Sequence, residues 1–520
     1  MKKLSFAGYK DKVTGCWTGK NIGGVFGAPF EGFRQVNDVD FYVQDLSQGP
    51  PANDDLDLQI VWLAAVEKYG RAVDASILGE YWLSFVIPNW VEYGTGKANL
   101  RAGLMPPLSG LVDNQYKDSC GCFIRSEIWA CLAPGHPEIA ARYAFEDGIV
   151  DHSGEGVFGE IFCAALQSAA FVENRKNVLL DIALSYIPED CAVAKGVQMA
   201  RECYEKAVPV LDARREIHNL VPGTFGVQNF PLNELPENGN DGMVLGEPGF
   251  DAPENVAFVV LGWLYGEDDF GKSMKIANSM GEDTDCTCAT LGALLGILNG
   301  ESGLPAKWKD PLDDRIVTLC IDKTSMGVWV PETATQLADR VMRNVPGFLG
   351  TGLVDIFDPE GMSVLCLEGK ELYCPEGEKF QYRTNGTQKS EELSIRKLCE
   401  LSPYVVRYSF PAFSVQVDYQ GSVGFSRDEQ RKIKVSIVNA NRLCQQQWVK
   451  IRVYMPSGVR LISGEELQLP LNNLYGAKAE AEIVFVPEEY AAGRLEFIVD
   501  ISLVGRHSDG AVKIVLMREQ

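Results

Sequence analysis

The chain has 520 residues, 46% of them hydrophobic, with 71 acidic against 48 basic side chains and a formal charge of −23. That length exceeds what one hydrophobic core usually supports, so two domains, or one large domain with an extension, are expected. The acidic balance and the lack of a Lys/Arg-rich run exclude a nucleic-acid footprint, and an anionic substrate would need local help to bind.

The amino terminus, MKKLSFAGYKDK, opens with two lysines but no apolar stretch of signal-peptide length follows, and no later segment approaches a membrane span. A cytoplasmic protein with no membrane partner is expected. Fourteen cysteines are scattered along the chain, several inside apolar helical patterns, which favours reduced, buried thiols over a disulfide framework. Cys120-x-Cys122 and Cys286-x-Cys288 lack the spacing and the neighbouring histidines of a zinc site. There are four histidines, His136, His152, His218 and His507, and neither a GxSxG elbow nor a GxxxxGK[ST] phosphate loop, so two large enzyme classes lose support.

From Lys12 to Glu31, Gly15, Gly19, Gly23 and Gly27 recur every four residues and line one face of a predicted helix. Glycine inside a helix costs about 1 kcal/mol relative to alanine, so the repetition implies that another backbone or a ligand approaches closely. Glu31 follows Ala28-Pro29-Phe30, after the helix has ended. Next, Asn53-Asp54-Asp55-Leu56-Asp57 opens a second helix whose apolar residues Leu56, Ile60, Leu63 and Val66 keep helical spacing until Gly70. Asp57 reads as a solvated charge suited to the helix dipole.

Further helices are predicted over residues 75–85, 123–131, 137–145, 156–171, 178–186 and 188–207, with pocket-lining loops at 100–119 and 221–250. Arg125, in Ser119-Cys120-Gly121-Cys122-Phe123-Ile124-Arg125, suits either a phosphate or a structural ion pair. His152 stands just before a helix, as a ligand contact or a satisfied core histidine. The stretch Gly281 to Cys288, GEDTDCTC, sets Asp283 and Asp285 at the start of a small, apolar helix running to about Asn299. Read alone, such aspartates are helix caps; two acidic helix starts far apart in the chain suggest instead one cation site with hard oxygen ligands.

Beyond Pro346-Gly347 the pattern changes to period two. VVRYSF, FSVQVDY, KIKVSIVN, WVKIRVYM, AEIVFV, LEFIVDISLV and VKIVLM alternate between polar turns, the signature of an antiparallel β-sandwich. Domains are expected at 1–348, helical, and 349–520, a β-sandwich accessory domain.

The order and spacing of these motifs resemble the ADP-ribosylglycohydrolases over roughly Gly8 to Arg343. That family's GxxxGxxxGDxxGxxxE pattern is similar to GCWTGKNIGGVFGAPFE, its Thr-Asp-Asp motif to Asn53-Asp54-Asp55, its Gly-Gly-Asp-Thr-Asp-Thr motif to Gly281–Cys286, its Asn-Gly-small-x-Met-Arg segment to CGCFIR, its Ser/Thr-His to Asp151-His152, and its Pro-x-x-Trp segment to LPAKWKDPLDDRI. The chain departs from the pattern where threonine ligands are replaced by Asn53 and Cys286, and where the family's aspartate after Ile22-Gly23 is Gly24. A cysteine sulfur is a poor partner for magnesium, and Thr287 would point about 100° away on the helix.

The resemblance implies a mainly α fold, an all-helical domain followed by the antiparallel sandwich, and a metal-dependent hydrolase of the glycosidic bond of an ADP-ribosylated or related ribosyl substrate. It implies one or two Mg2+ or Mn2+ ions held by Asn53, Asp54, Asp55, Asp283, Asp285 and Cys286, with Glu31, Asp54 and Asp55 as catalytic residues. Gly121, Cys122, Arg125, His152 and Gly281 would bind the substrate, a small molecule or an ADP-ribosylated protein. The altered residues leave two other readings open: a glycosidase acting on a nucleoside or other glycoside, and a non-catalytic relative that binds a nucleotide or sugar.

Overall fold

The computed structural model describes residues 1–221, 249–324, 328–377, 379–384, 388–439, 446–474 and 476–519. The expected loop at 221–250 therefore lies almost wholly outside the described residues. The chain forms two compact units, one of Met1–Gly96 and Asp113–Glu400, the other of Lys97–Val112 and Leu401–Gln520.

The first unit is mainly helical. In chain order the helices are α1 (Phe6–Gly27), α2 (Asp57–Tyr69), α3 (Ala75–Phe85), α4 (Val91–Arg101, from Lys97 on in the second unit), α5 (Leu108–Leu111, in the second unit), α6 (Glu127–Leu132), α7 (Pro137–Gly148), α8 (Glu155–Ala170) and α9 (Lys176–Leu184). They continue with α10 (Ala192–Glu205), α11 (Val210–Leu220), α12 (Ala252–Tyr265), α13 (Phe270–Ser279), α14 (Thr284–Asn299), α15 (Ala306–Lys309), α16 (Ala334–Leu349) and α17 (Ile395–Cys399).

Helix α1 starts where the Ser5 hydroxyl accepts from the Gly8 amide at 3.3 Å, and it is buried without a break from Val13 to Gly27. Helix α14 is buried from Thr284 to Ile297. Helices enclosed on all sides belong to the interior of a large domain, and these two lie against each other. A Cβ on Gly15, Gly19, Gly23 or Gly27 would fall inside the backbone of Gly296, Gly292, Cys288 or Thr284 respectively. The backbone that the glycine repeat calls for is that of α14.

Short strands complete this unit: β1 (Lys2–Leu4), β2 (Val354–Asp355) and β3 (Ser363–Cys366) in the order β1-β3-β2, and a hairpin of β4 (Lys379–Thr384) and β5 (Gln388–Leu393). Lys3 pairs with Leu365, the Tyr186 hydroxyl donates to the Leu372 carbonyl at 2.9 Å, and the Ile395 amide donates to Glu138 at 2.9 Å. Residues 350–400 thus pack with the helices, and the division falls after Glu400 rather than near 348. Alternation in a sequence identifies a strand but not its partner, here a strand at the opposite end of the chain.

The second unit is a sandwich. One sheet has the order β12 (Glu466–Leu471), β10 (Gln447–Tyr454), β14 (Arg494–Leu503), β15 (Asp509–Arg518), β8 (Gly424–Phe425). The other runs β11 (Val459–Leu461), β13 (Lys478–Pro487), β9 (Arg431–Val438), β7 (Ser414–Asp418), β6 (Val405–Ser409). All pairings are antiparallel except that of β15 with β8. Alternate residues such as Ile433, Val435, Phe485, Ile451, Val499 and Ile514 from both sheets share one core, as period-two patterning requires. Pro470, which donates no ladder bond, sits on the edge strand β12.

The thirteen described cysteines are free, twelve of them buried. Among the described residues no helix is long and apolar enough to cross a membrane.

Candidate active site

The end of α1 and the start of α14 are fastened together. The Thr284 hydroxyl donates to the Gly27 carbonyl at 2.9 Å, and a turn at Ala28–Phe30 then delivers Glu31. Directly beyond, Phe33 and Glu282 pair antiparallel, with the Gly32 amide on the Glu282 carbonyl and the Glu282 amide on the Phe33 carbonyl, both at 3.1 Å. Gly281 permits this at φ 73°, a conformation other residues rarely adopt, with no room for a Cβ beneath the carbonyls of Phe33 and Gln35. Gly281 shapes the turn behind the acids.

The second acidic segment meets the same place. The Asn53 amide nitrogen lies 3.5 Å from Asp285 Oδ2, its oxygen accepts from the Asp55 amide at 2.7 Å, and a Cβ on Gly24 would stand 2.8 Å from Asp55 Oδ2. Segments some 230 residues apart in sequence therefore converge. Glu31, Asp54, Gly121, Asp283 and Cys286 line one cleft of about 380 Å3. Trp90, Val91, Glu92, Tyr93, Ser119, Phe250 and Leu319, which the sequence did not single out, complete much of its wall. Val91 is held at φ 27°, a strained value for a β-branched residue.

Helix capping does not account for the acids. Asp283 occupies the N-cap position of α14 and makes no side-chain capping bond, and the N-cap of α2 is Leu56. Both Asp55 carboxylate oxygens and Asp283 Oδ1 are buried without a hydrogen-bond partner. Burying unpaired carboxylate oxygens is costly, and a hard cation removes the cost. Ligand atoms of Asp283, Asp285 and Cys286 lie within 4.8 Å of one another. The carboxylate oxygens of Asp54, Asp55, Asp283 and Asp285 are donors of the type a hard cation takes. The Cys286 thiol, pushed well up by burial and by Asp283, is a poor donor to such an ion. Thr287 turns away to Asn255, at 3.3 Å.

The crowding of acids shows in their proton affinity. Burial, then Asp283, Asp54 and Asp55, push Glu31 up to about 8, although its side chain is open to the cleft and solvent softens the effect. Asp55 is also raised to about 8 by burial, against the pull of Lys20, and Asp285 is raised well above the usual range by burial and then Glu31. Lys20, on α1 and fully buried, lies 3.2 Å from Glu127, which also accepts from Gln59 and Gln167 at 3.0 Å. Lys20, the one charged residue in the buried stretch from Val13 to Gly27 of the glycine helix, was the visible signal for this ammonium.

Of the remaining predicted residues, Gly121 lines the cleft, while Arg125, His152 and Cys122 are buried outside its lining. Arg125 is fully buried, paired with Asp147 at 2.7 Å and Asp151 at 2.5 Å, and stacked over Trp82. His152, also buried, faces Ser119 Oγ at 2.9 Å and Asp151 at 2.9 Å, so it reaches the cleft only through Ser119. The Cys122 thiol donates to Glu160 at 2.9 Å. Gly121 is small because Glu92 Oε1 occupies the place a Cβ would take. Asp57 corrects the expectation of a solvated charge: it is fully buried and accepts from the Leu319 and Cys320 amides, anchoring the loop that carries Leu319. Elsewhere His218, Glu254 and Glu282 also converge, but there Arg34, 2.6 Å from Glu282, already supplies a cation.

A mainly helical domain in which two acidic helix starts and a glutamate meet at one cleft defines the class of scaffold. The ADP-ribosylglycohydrolase family model matches residues 6–346, and the chain belongs to that family. Membership supports a glycohydrolase-type activity. Among solved structures, one described as an ADP-ribosylglycohydrolase-related protein complex is similar over 65% of this chain and 100% of its own, at 18% identity and a TM-score of 0.43. No curated protein matches.

Proposed function

We propose that the protein is a divalent-metal-dependent hydrolase that cleaves the glycosidic bond of an ADP-ribosylated or related ribosyl substrate. The observation that carries this reading is the convergence of Glu31, Asp54 and Asp283 at one cleft, with Asp55 and Asp285 buried next to them and carboxylate oxygens of Asp55 and Asp283 that have no hydrogen-bond partner among the described residues. Asp54, Asp55, Asp283 and Asp285 would hold the metal, and Asn53 would orient Asp285. The metal, when bound, supplies Lewis acidity that orients sugar hydroxyls and lowers the pKa of water.

Glycosidic cleavage leaves an oxocarbenium-like sugar, and the leaving atom needs a proton as its bond to the anomeric carbon breaks. Glu31 faces the cleft, and burial, the largest cause, raises its proton affinity. It would donate to the leaving atom and, once ionised, accept a proton from the incoming water. The test is sugar release from a panel of ADP-ribosylated amino acids, nucleosides and simple ribosides, with Mg2+ or Mn2+ and with EDTA. Glu31→Gln is expected to lower turnover by about 10²–10⁴-fold while leaving the metal affinity nearly unchanged. Loss of metal binding in that variant would instead make Glu31 a ligand.

A further inference from the structure

Ser119, on the cleft wall, is the open end of a line of hydrogen-bonding groups that runs into the protein. Its Oγ lies 2.9 Å from His152 Nε2, and His152 Nδ1 lies 2.9 Å from Asp151 Oδ1. Asp151 accepts from the Arg125 guanidinium at 2.5 and 3.2 Å. Burial alone would raise its proton affinity, but Arg125 and His152 hold it below the usual carboxylate range. An ionised carboxylate only accepts, so the imidazole carries its proton on Nδ1 and leaves Nε2 to accept from Ser119. That is the order of a Ser-His-Asp triad, which is defined by geometry and role rather than by a GxSxG elbow. Glycosidic cleavage by Glu31 and the aspartates uses neither Ser119 nor His152.

The serine is firmly held. Its amide donates to the Tyr116 carbonyl at 3.0 Å, the Cys120 amide donates to the Phe250 carbonyl at 2.7 Å, and Ser119 pairs with Asp251 in an isolated bridge. Glu92 also reaches the Ser119 hydroxyl, and of these two partners His152 is the one oriented by a carboxylate of its own, as a general base requires. Gly121, two residues on, also lines the cleft and brings a backbone amide beside the nucleophile, the type of donor that a developing oxyanion needs. Ser119 is only 2% exposed, so a reacting carbonyl must enter the cleft to meet it, which favours a short acyl group. At the open rim Trp90, Val91 and Leu319, 49%, 45% and 49% exposed, offer apolar surface to an alcohol group.

We infer that the cleft carries a second hydrolytic activity, toward carboxylic esters of short acids, with Ser119 as nucleophile, His152 as general base and Asp151 as the carboxylate that orients it. Ser119 Oγ bonds to the carbonyl carbon while its proton passes to His152 Nε2, and the tetrahedral adduct expels the alcohol, which leaves with that proton. Water then attacks the acyl-serine, its proton going to Nε2 and from there to Ser119 Oγ as the acid departs. These steps involve no sugar and no metal ligand, so this inference and the glycosidic reading fail separately. The test treats the full-length protein, in EDTA, with a short-chain alkyl fluorophosphonate, maps the adduct by peptide mass spectrometry, and follows nitrophenolate release from para-nitrophenyl acetate and hexanoate. A phosphonyl group on Ser119 is expected, with faster turnover of the acetate than of the hexanoate. Ser119→Ala should abolish the adduct and lower ester turnover about 100-fold or more at unchanged Tm, and His152→Gln should slow labelling of Ser119 by a similar factor. The adduct is read on the wild-type protein, so a variant that fails to fold leaves the test intact. An unmodified Ser119, a Ser119→Ala protein with wild-type ester turnover, or release confined to Mg2+-loaded protein would each overturn the inference.

Discussion

The Thr284 hydroxyl bonds to the Gly27 carbonyl at 2.9 Å, and this one contact joins the end of α1 to the start of α14. Glu31 follows four residues after Gly27, and Asp283 and Asp285 flank Thr284, so the contact fixes the distance between the proposed proton donor and the proposed metal ligands.

That geometry depends on the glycine face. Gly19→Ala drives a methyl into the backbone of Gly292, which cannot yield as a flexible side chain would. A loss of about 1–3 kcal/mol is expected in urea denaturation. Gly8→Ala, whose methyl would meet only the Ser5 and Leu4 side chains at 3.4 Å or more, is expected to leave stability unchanged or to raise it by up to about 1 kcal/mol.

Magnesium or manganese is expected to raise Tm, by an amount equivalent to about 2.7 kcal/mol at one hundred times Kd. Asp283→Ala should abolish the rise, because it removes a carboxylate whose Oδ1 is buried and unpartnered. A wild-type Tm indifferent to both ions in differential scanning fluorimetry would count against a metal centre.

Asp55 gives a pH signature. Its folded pKa of about 8 stands above the unfolded value of about 4, so the native state binds the proton more tightly. Stability from this group is fully present below about pH 4, falls as pH rises toward 8 and is level beyond. In EDTA, Asp55→Asn should therefore gain stability over wild type progressively between pH 5 and 8. With Mg2+ the order should reverse at the alkaline end, because the ion binds the carboxylate that the proton has left. Parallel Tm–pH curves for the two proteins would refute the buried, crowded state of Asp55.

Asp57 tests the frame of the cleft. Asp57→Ala leaves the buried Cys320 amide and its neighbour Leu319 without an acceptor, and a loss on the order of 2 kcal/mol is expected in chemical denaturation. Hydrogen exchange at Leu319 and Cys320 should rise with it.

The sequence by itself determined the periodic elements. Helical spacing located α2 and α14, alternation located β6, β7, β9, β10, β13, β14 and β15, and the four-residue glycine repeat announced a backbone neighbour for α1. Each is a local property, a repeat of 3.6 or 2 residues or a missing side chain, and one strand of text suffices to read it. The order of the acidic motifs likewise anticipated Glu31, Asp54 and Asp283 in one cleft. Tertiary structure alone decided the rest, because burial and partnership are set by residues hundreds of positions away. Only the fold shows that Arg125 and Lys20 are sealed beneath the cleft by Asp151 and Glu127, that Asp57 is buried on Leu319 and Cys320, that Trp90 stands at the rim, and that residues 350–400 pack with the helices through β1.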